Sequence, residues 1–111
     1  MKLRLISLFC SKTEDDTGED EPRLIVNGVQ VWGAEAPGLN DRDTADLSAV
    51  PVIEFGTRAR IELFDADAGG EDDDDLLGRF YVGRMQSGQG EVEYHFVEDD
   101  ADYTLTYEVT S

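Results

Sequence analysis

Apolar residues recur at every second position in several stretches of the chain, and nowhere at a sustained spacing of 3.6, so the pattern predicts strands and no helices. The last stretch is the plainest: Tyr103, Leu105, Tyr107 and Val109 alternate with Thr104, Thr106 and Glu108. Val92, Tyr94 and Phe96 alternate with Glu91, Glu93 and His95, and Ala59, Ile61 and Leu63 with Arg58, Arg60 and Glu62. Successive side chains of a strand point to opposite faces, so each stretch has one buried and one wet face, the habit of antiparallel sheet. Residues 3–10, 50–55 and the run Phe80-Tyr81-Val82 add further strands. Leu24-Ile25-Val26, then Asn27-Gly28, then 29–32 predict a hairpin, because Asn-Gly accepts the positive φ angles of a type I′ turn. Residues 34–49 hold Pro37, Gly38, Asn40, Asp41 and Asp43 and read as a connection. Seven or eight short strands with turns between them predict an all-β chain, an antiparallel β-sandwich. At 111 residues it forms one domain, 1–111, large enough to bury a core without staples.

Charge changes this picture. The formal net charge is −17, which disfavours nucleic acid and anionic membranes as partners unless cations intervene, so no nucleic acid is expected. Half of the acid sits in two windows: residues 14–21 (EDDTGEDE) carry six carboxylates and 65–75 (DADAGGEDDDD) carry seven, 13 of 26 Asp and Glu. Each window follows a strand-like run. Two like charges at contact repel by about 4 kcal/mol at an effective dielectric near 20, so converging these loops calls for a cation or water between them. Hard oxygen donors in this number suit calcium better than zinc or copper.

Spacing sharpens the expectation. Asp65 and Asp67 continue the parity of Leu63 past the strand end and point to one side. Gly69-Gly70 permits a sharp loop, and residues 72–75 supply another carboxylate on the return, before Leu76-Leu77-Gly78 re-enters the sheet. The first window offers Asp15 and Asp16, a turn at Gly18, then Asp20 and Glu21 before Pro22 restarts a strand. Calcium takes about six to eight oxygens; either loop alone falls short, and the two together suffice. An EF-hand does not fit. With Asp65 at its first position, the twelfth is Leu76 where a carboxylate must close the site, and strands flank it instead of helices.

In order along the chain, Leu3-x-Leu5-x-Ser7, Asp15-x-x-Gly18-x-x-Glu21-Pro22-x-Leu24-x-Val26, Ile61-x-Leu63-x-Asp65-x-Asp67 and Asp75-x-Leu77-Gly78 resemble the C2 domain, the calcium-dependent phospholipid-binding β-sandwich. That family's first loop reads Asp-x-x-Gly-x-Ser-Asp-Pro-Tyr, and its third reads Asp-x-Asp, a spacer, then Asp-x-Ile/Leu-Gly. The resemblance implies an eight-stranded antiparallel sandwich with both loops at one end cradling one to three calcium ions. By motif, Asp15 and Glu21 are the implied ligands of the first loop, and Asp65, Asp67 and Asp75 those of the third. The chain departs from the pattern at several points. Glu21 stands for the usual Asp, so Asp16 or Asp20 serves in a shifted register. Arg23 replaces the usual aromatic. The span from Asp67 to Asp75 is about two residues longer, so Asp73 or Asp74 can substitute for Asp75. Segment 34–49 is shorter than its family counterpart.

The remaining residues narrow the function. Cys10 reads as a small buried hydrophobe. His95 lies on a wet face with no second His for a zinc site, Trp32 sits at the core or its edge, and no phosphate loop or nucleophile elbow appears, so no enzyme activity is expected. No run approaches the 18 apolar residues of a membrane span, and residues 1–10 fit a signal peptide poorly, so a soluble cytoplasmic chain is expected. Lipid docking is weakly supported: the tip Ala68-Gly69-Gly70-Glu71 has nothing to insert, and there is no polybasic cluster. The reading is thus a calcium-binding module in which the ion stabilises the loop end or mediates protein binding. Its rivals are a metal-free acidic interaction domain, suited to high salt by its seven Arg, two Lys and 26 acids, and, more weakly, a nucleic-acid mimic.

Overall fold

A computed structural model of the chain describes residues 1–12, 21–34, 38–65, 75–98 and 101–111, with Asp75 described by its backbone alone. Among the described residues nine strands run in the order β1 (Lys2–Lys12), β2 (Pro22–Val26), β3 (Val29–Gly33), β4 (Thr44–Asp46), β5 (Ile53–Glu54), β6 (Arg58–Asp65), β7 (Asp75–Gly83), β8 (Glu91–Phe96) and β9 (Asp102–Thr110). They form two antiparallel sheets. One has the order β4-β1-β9-β8, with β5 also pairing to β1, and the other the order β3-β2-β6-β7. This is the antiparallel β-sandwich that the alternation predicts.

The core lies between the sheets and takes the inward half of each alternating strand: Leu24 and Val26 from β2, Ala59, Ile61 and Leu63 from β6, and Tyr103, Leu105, Tyr107 and Val109 from β9. Burying one such Leu or Val side chain contributes about 1.5–3 kcal/mol. In β1 the register shifts between Leu5 and Ser7. The extra residue of a bulge inverts the alternation, so Leu3 and Leu5 before it and Leu8 and Cys10 after it all face inward. The expected hairpin is present, with Asn27 at φ 51° and Gly28 at φ 82°. Asn27 also ties this turn to the neighbouring strand: its N–H donates to the Arg60 carbonyl and its Oδ1 accepts the Arg60 N–H, both at 2.9 Å.

Two segments differ from expectation. Of residues 50–55 only Ile53 and Glu54 form a strand; Pro51 has no N–H to give a ladder, and Val52 is exposed. Segment 34–49 is more than a connection. Thr44, Ala45 and Asp46 pair with Phe9, Leu8 and Ser7, while Leu39 and Leu47 are buried. Conversely, the strand expected at Phe80-Tyr81-Val82 begins at Asp75. Among the described residues no helix is long and apolar enough to cross a membrane.

Candidate metal centre

The ends of three strands lie in one row across the second sheet. Asp65, the last residue of β6, pairs with Pro22, the first of β2, and on its other side with Asp75, the first of β7. The chain therefore leaves for residues 66–74, returns from them and arrives from residues 13–21 at the same edge of the same sheet. Asp65 has the parity of Ile61 and Leu63, and it is 2% exposed. A carboxylate this deep is unfavourable unless oxygen-seeking donors meet it. One of them is the backbone N–H of Glu21, which donates to Asp65 Oδ1 at 3.0 Å. That bond joins the last residue of the first acidic window to the first residue of the second.

Of the residues expected to hold calcium, Glu21 and Asp65 are therefore brought together, and the backbone of Asp75 stands beside Asp65. Asp15, Asp16, Asp20, Asp67 and Asp73 lie outside the described residues, as does Asp74. Among the described residues no three carboxylate, imidazole or thiol side chains are gathered as a ligand set. The donors present at this edge are hard oxygens, which fits calcium in kind.

A second buried carboxylate escapes a reading based on alternation. Glu62 lies on the outer face of β6, between Ile25 and Arg79 in the pairing register, yet is only 6% exposed. Arg60 Nε donates to Glu62 Oε1 at 3.1 Å, and Arg79 donates to Oε2 from Nε at 2.8 Å and from Nη2 at 2.7 Å. Glu62 in turn holds the Arg79 guanidinium above its usual pKa. Beside them the Arg58 guanidinium lies 4.6 Å over the Tyr81 ring. The signal was the cross-strand placement of Glu62 opposite Arg79, invisible until the register of β6 and β7 is known. Cys10 and Tyr103 are buried as expected, and His95 is an exposed partner of Thr104, Nδ1 to Oγ1 at 2.9 Å.

A solved structure described as a C2 domain superposes on the whole of this chain and on 99% of its own, with a TM-score of 0.64 at 16% sequence identity. The chain has the fold of a C2 domain. At the level of sequence, no family model and no curated protein matches it. The shared property is therefore the sandwich fold. At such low identity the C2 fold does not transfer a ligand set.

Proposed function

We propose that the chain is a non-enzymatic, calcium-binding C2-like module that holds Ca2+ between residues 14–21 and 65–75. Asp65 is the anchoring ligand. Glu21, Asp67 and Asp75 join it, with Asp15, Asp16, Asp20 and Asp73 completing the oxygen shell according to the register of each loop. The ion cross-links two connections whose carboxylates otherwise repel, and so stiffens that end of the sandwich for contact with a protein partner; lipid contact is the weaker reading. The observation that carries this reading is the buried Asp65 carboxylate, bonded to the Glu21 amide at the row where both acidic windows are mounted.

The test is a thermal melt in millimolar calcium against chelator at fixed ionic strength. An ion that binds the folded state alone, at about 100 times its dissociation constant, adds roughly 2.7 kcal/mol. Asp65→Asn combined with Asp67→Asn should abolish that shift. Absence of a shift in the unsubstituted chain, or an equal shift with magnesium, would leave the metal-free acidic interaction domain as the better description. Sedimentation with anionic vesicles in calcium should recover little protein.

A further inference from the structure

The two outer faces of the sandwich carry mirror-image charge clusters. On the second sheet, Glu62 is held by Arg60 and Arg79, Arg58 stands two residues before Arg60 on the same face of β6, and Glu98 is a further carboxylate acting on Arg79. On the first sheet, Glu108 and Glu91 flank the Arg4 guanidinium, and Glu93 stands two residues beyond Glu91 on the same face of β8. Arg4 Nη2 lies 2.7 Å from Glu108 Oε1 and 4.0 Å from Glu91 Oε2. Glu91 and Glu108 are direct cross-strand partners, a like-charge pairing that repels and that Arg4 only half offsets. Each face thus carries three charges of one sign against fewer of the other. One face is left with surplus guanidinium, the other with surplus carboxylate.

The clusters also match in form. Arg58 and Arg60 stand two residues apart on β6, as Glu91 and Glu93 do on β8, each pair spanning about 7 Å on the same face of its strand. The surplus groups are open to solvent: the Arg60 and Arg79 side chains are 42% and 47% exposed, and that of Glu91 is 59% exposed. The guanidinia are also held in place, two by Glu62 and one by the Tyr81 ring, so little side-chain freedom is lost when a carboxylate arrives.

We propose that these two faces dock on each other between copies of this chain, the arginine face of one copy against the glutamate face of the next. The contact is heterologous. Each copy keeps one free face of each kind, so the assembly grows as a stack without closing. A four-stranded face offers only a few hundred Å2 per copy, at the weak end of specific interfaces, so stacking needs high protein concentration. It also needs salt. Two copies of charge −17 repel at long range, and at about 1 M ionic strength the screening length falls to about 3 Å, which removes that repulsion and spares the pairs in contact.

Sedimentation velocity in chelator, which removes any part played by calcium, tests this. In 1 M KCl the weight-average mass should climb continuously with protein concentration towards the millimolar range, whereas in 0.1 M KCl it should stay at the 12.3 kDa monomer. Arg58→Glu and Glu93→Arg lie outside the ion pairs around Glu62 and Arg4, so each should still fold cooperatively, with Arg58→Glu melting slightly lower for loss of its contact with the Tyr81 ring. Each alone should lower the association constant at least tenfold, and an equimolar mixture of the two should restore it. Arg4→Gln, which strips the cation from the glutamate face, should tighten stacking. A monomer at every concentration and salt, a closed dimer, or a mixture that associates no better than its components would overturn the proposal.

Discussion

Glu62 and Asp65 stand three residues apart on β6, and both are almost wholly withdrawn from solvent, yet the fold compensates them by different means. Glu62 lies on the outer face beneath two guanidinia, Arg60 and Arg79. Asp65 lies on the inner parity at the strand end, receives the Glu21 amide, and is flanked in the register by Pro22 and Asp75. The first arrangement brings its own countercharge on the next strand. The second is mounted where the sequence adds further acid. A buried ion pair of the first kind contributes little net stability over an apolar replacement, although removing one partner is costly. A carboxylate of the second kind, in a chain with 26 acids against nine cations, is the one at which we propose an ion binds. The contrast separates a carboxylate neutralised within the fold from one placed among further acid more clearly than composition does.

The boundary between the two regimes is a bulge. The pairing of β6 with β7 shifts between Leu63 and Phe64, with Gly78 opposite Leu63 and Leu76 opposite Phe64. Glu62 and Arg79 lie on one side of it, Asp65 and Asp75 on the other. A Cβ added at Gly78 would stand 2.5 Å from Phe96 Cδ1, and its φ is 158°. Gly78→Ala should therefore have the largest effect, a loss of about 2–3 kcal/mol from overpacking, read as a lower urea midpoint. If that variant is as stable as the parent, Gly78 does not pack against the Phe96 ring as described.

Comparable in size is the calcium response. Asp65→Asn should erase the roughly 2.7 kcal/mol expected at saturating calcium, whereas Glu62→Gln should leave it intact; thermal melts of both variants in calcium and in chelator decide this. Loss of the response in both would show that the two carboxylates are coupled. Without calcium, Glu62→Gln should cost about 1 kcal/mol, because a neutral amide oxygen still accepts from the arginines but without charge assistance, and the guanidinia are partly screened by water. The smallest effect concerns Tyr107, a buried phenol away from both carboxylates. Desolvation raises its pKa above the usual value. A raised folded-state pKa means that its contribution is intact below the unfolded value near pH 10 and is lost as pH climbs through the folded value. Tyr107→Phe should remove that alkaline loss, measured as stability between pH 9 and 11.

Much of the frame was legible because alternation is a property of single residues. Ala59, Ile61, Leu63 and the inward residues of β9 declare their face without reference to any partner. The Asn27-Gly28 turn was equally plain, since few dipeptides accept two positive φ angles. Segment 44–46 was hidden for the opposite reason. Thr44, Ala45 and Asp46 carry no strand signature, and they pair because β1 presents Ser7, Leu8 and Phe9 to them. Residues 50–55 were over-read because their apolar content masked the missing donor at Pro51. At the candidate site, the parity of Asp65 followed from Leu63, but its bond to the Glu21 amide and the level shared by Pro22, Asp65 and Asp75 belong to register. So does the burial of Glu62, which depends on a strand 17 residues downstream.

The extra residue at Leu77 has one more consequence. Because the pairing of Glu62 with Arg79 and of Arg60 with Tyr81 fixes the phase of the strand beyond it, a change in the number of residues between 66 and 74 should not rotate Arg79 or Tyr81 off the outer surface. A single residue inserted between Gly78 and Gly83 would instead invert the strand beyond it. The fold thus separates a segment free to diverge from one held in step, so loops from other proteins grafted between Asp65 and Asp75 should be accepted by an unaltered scaffold.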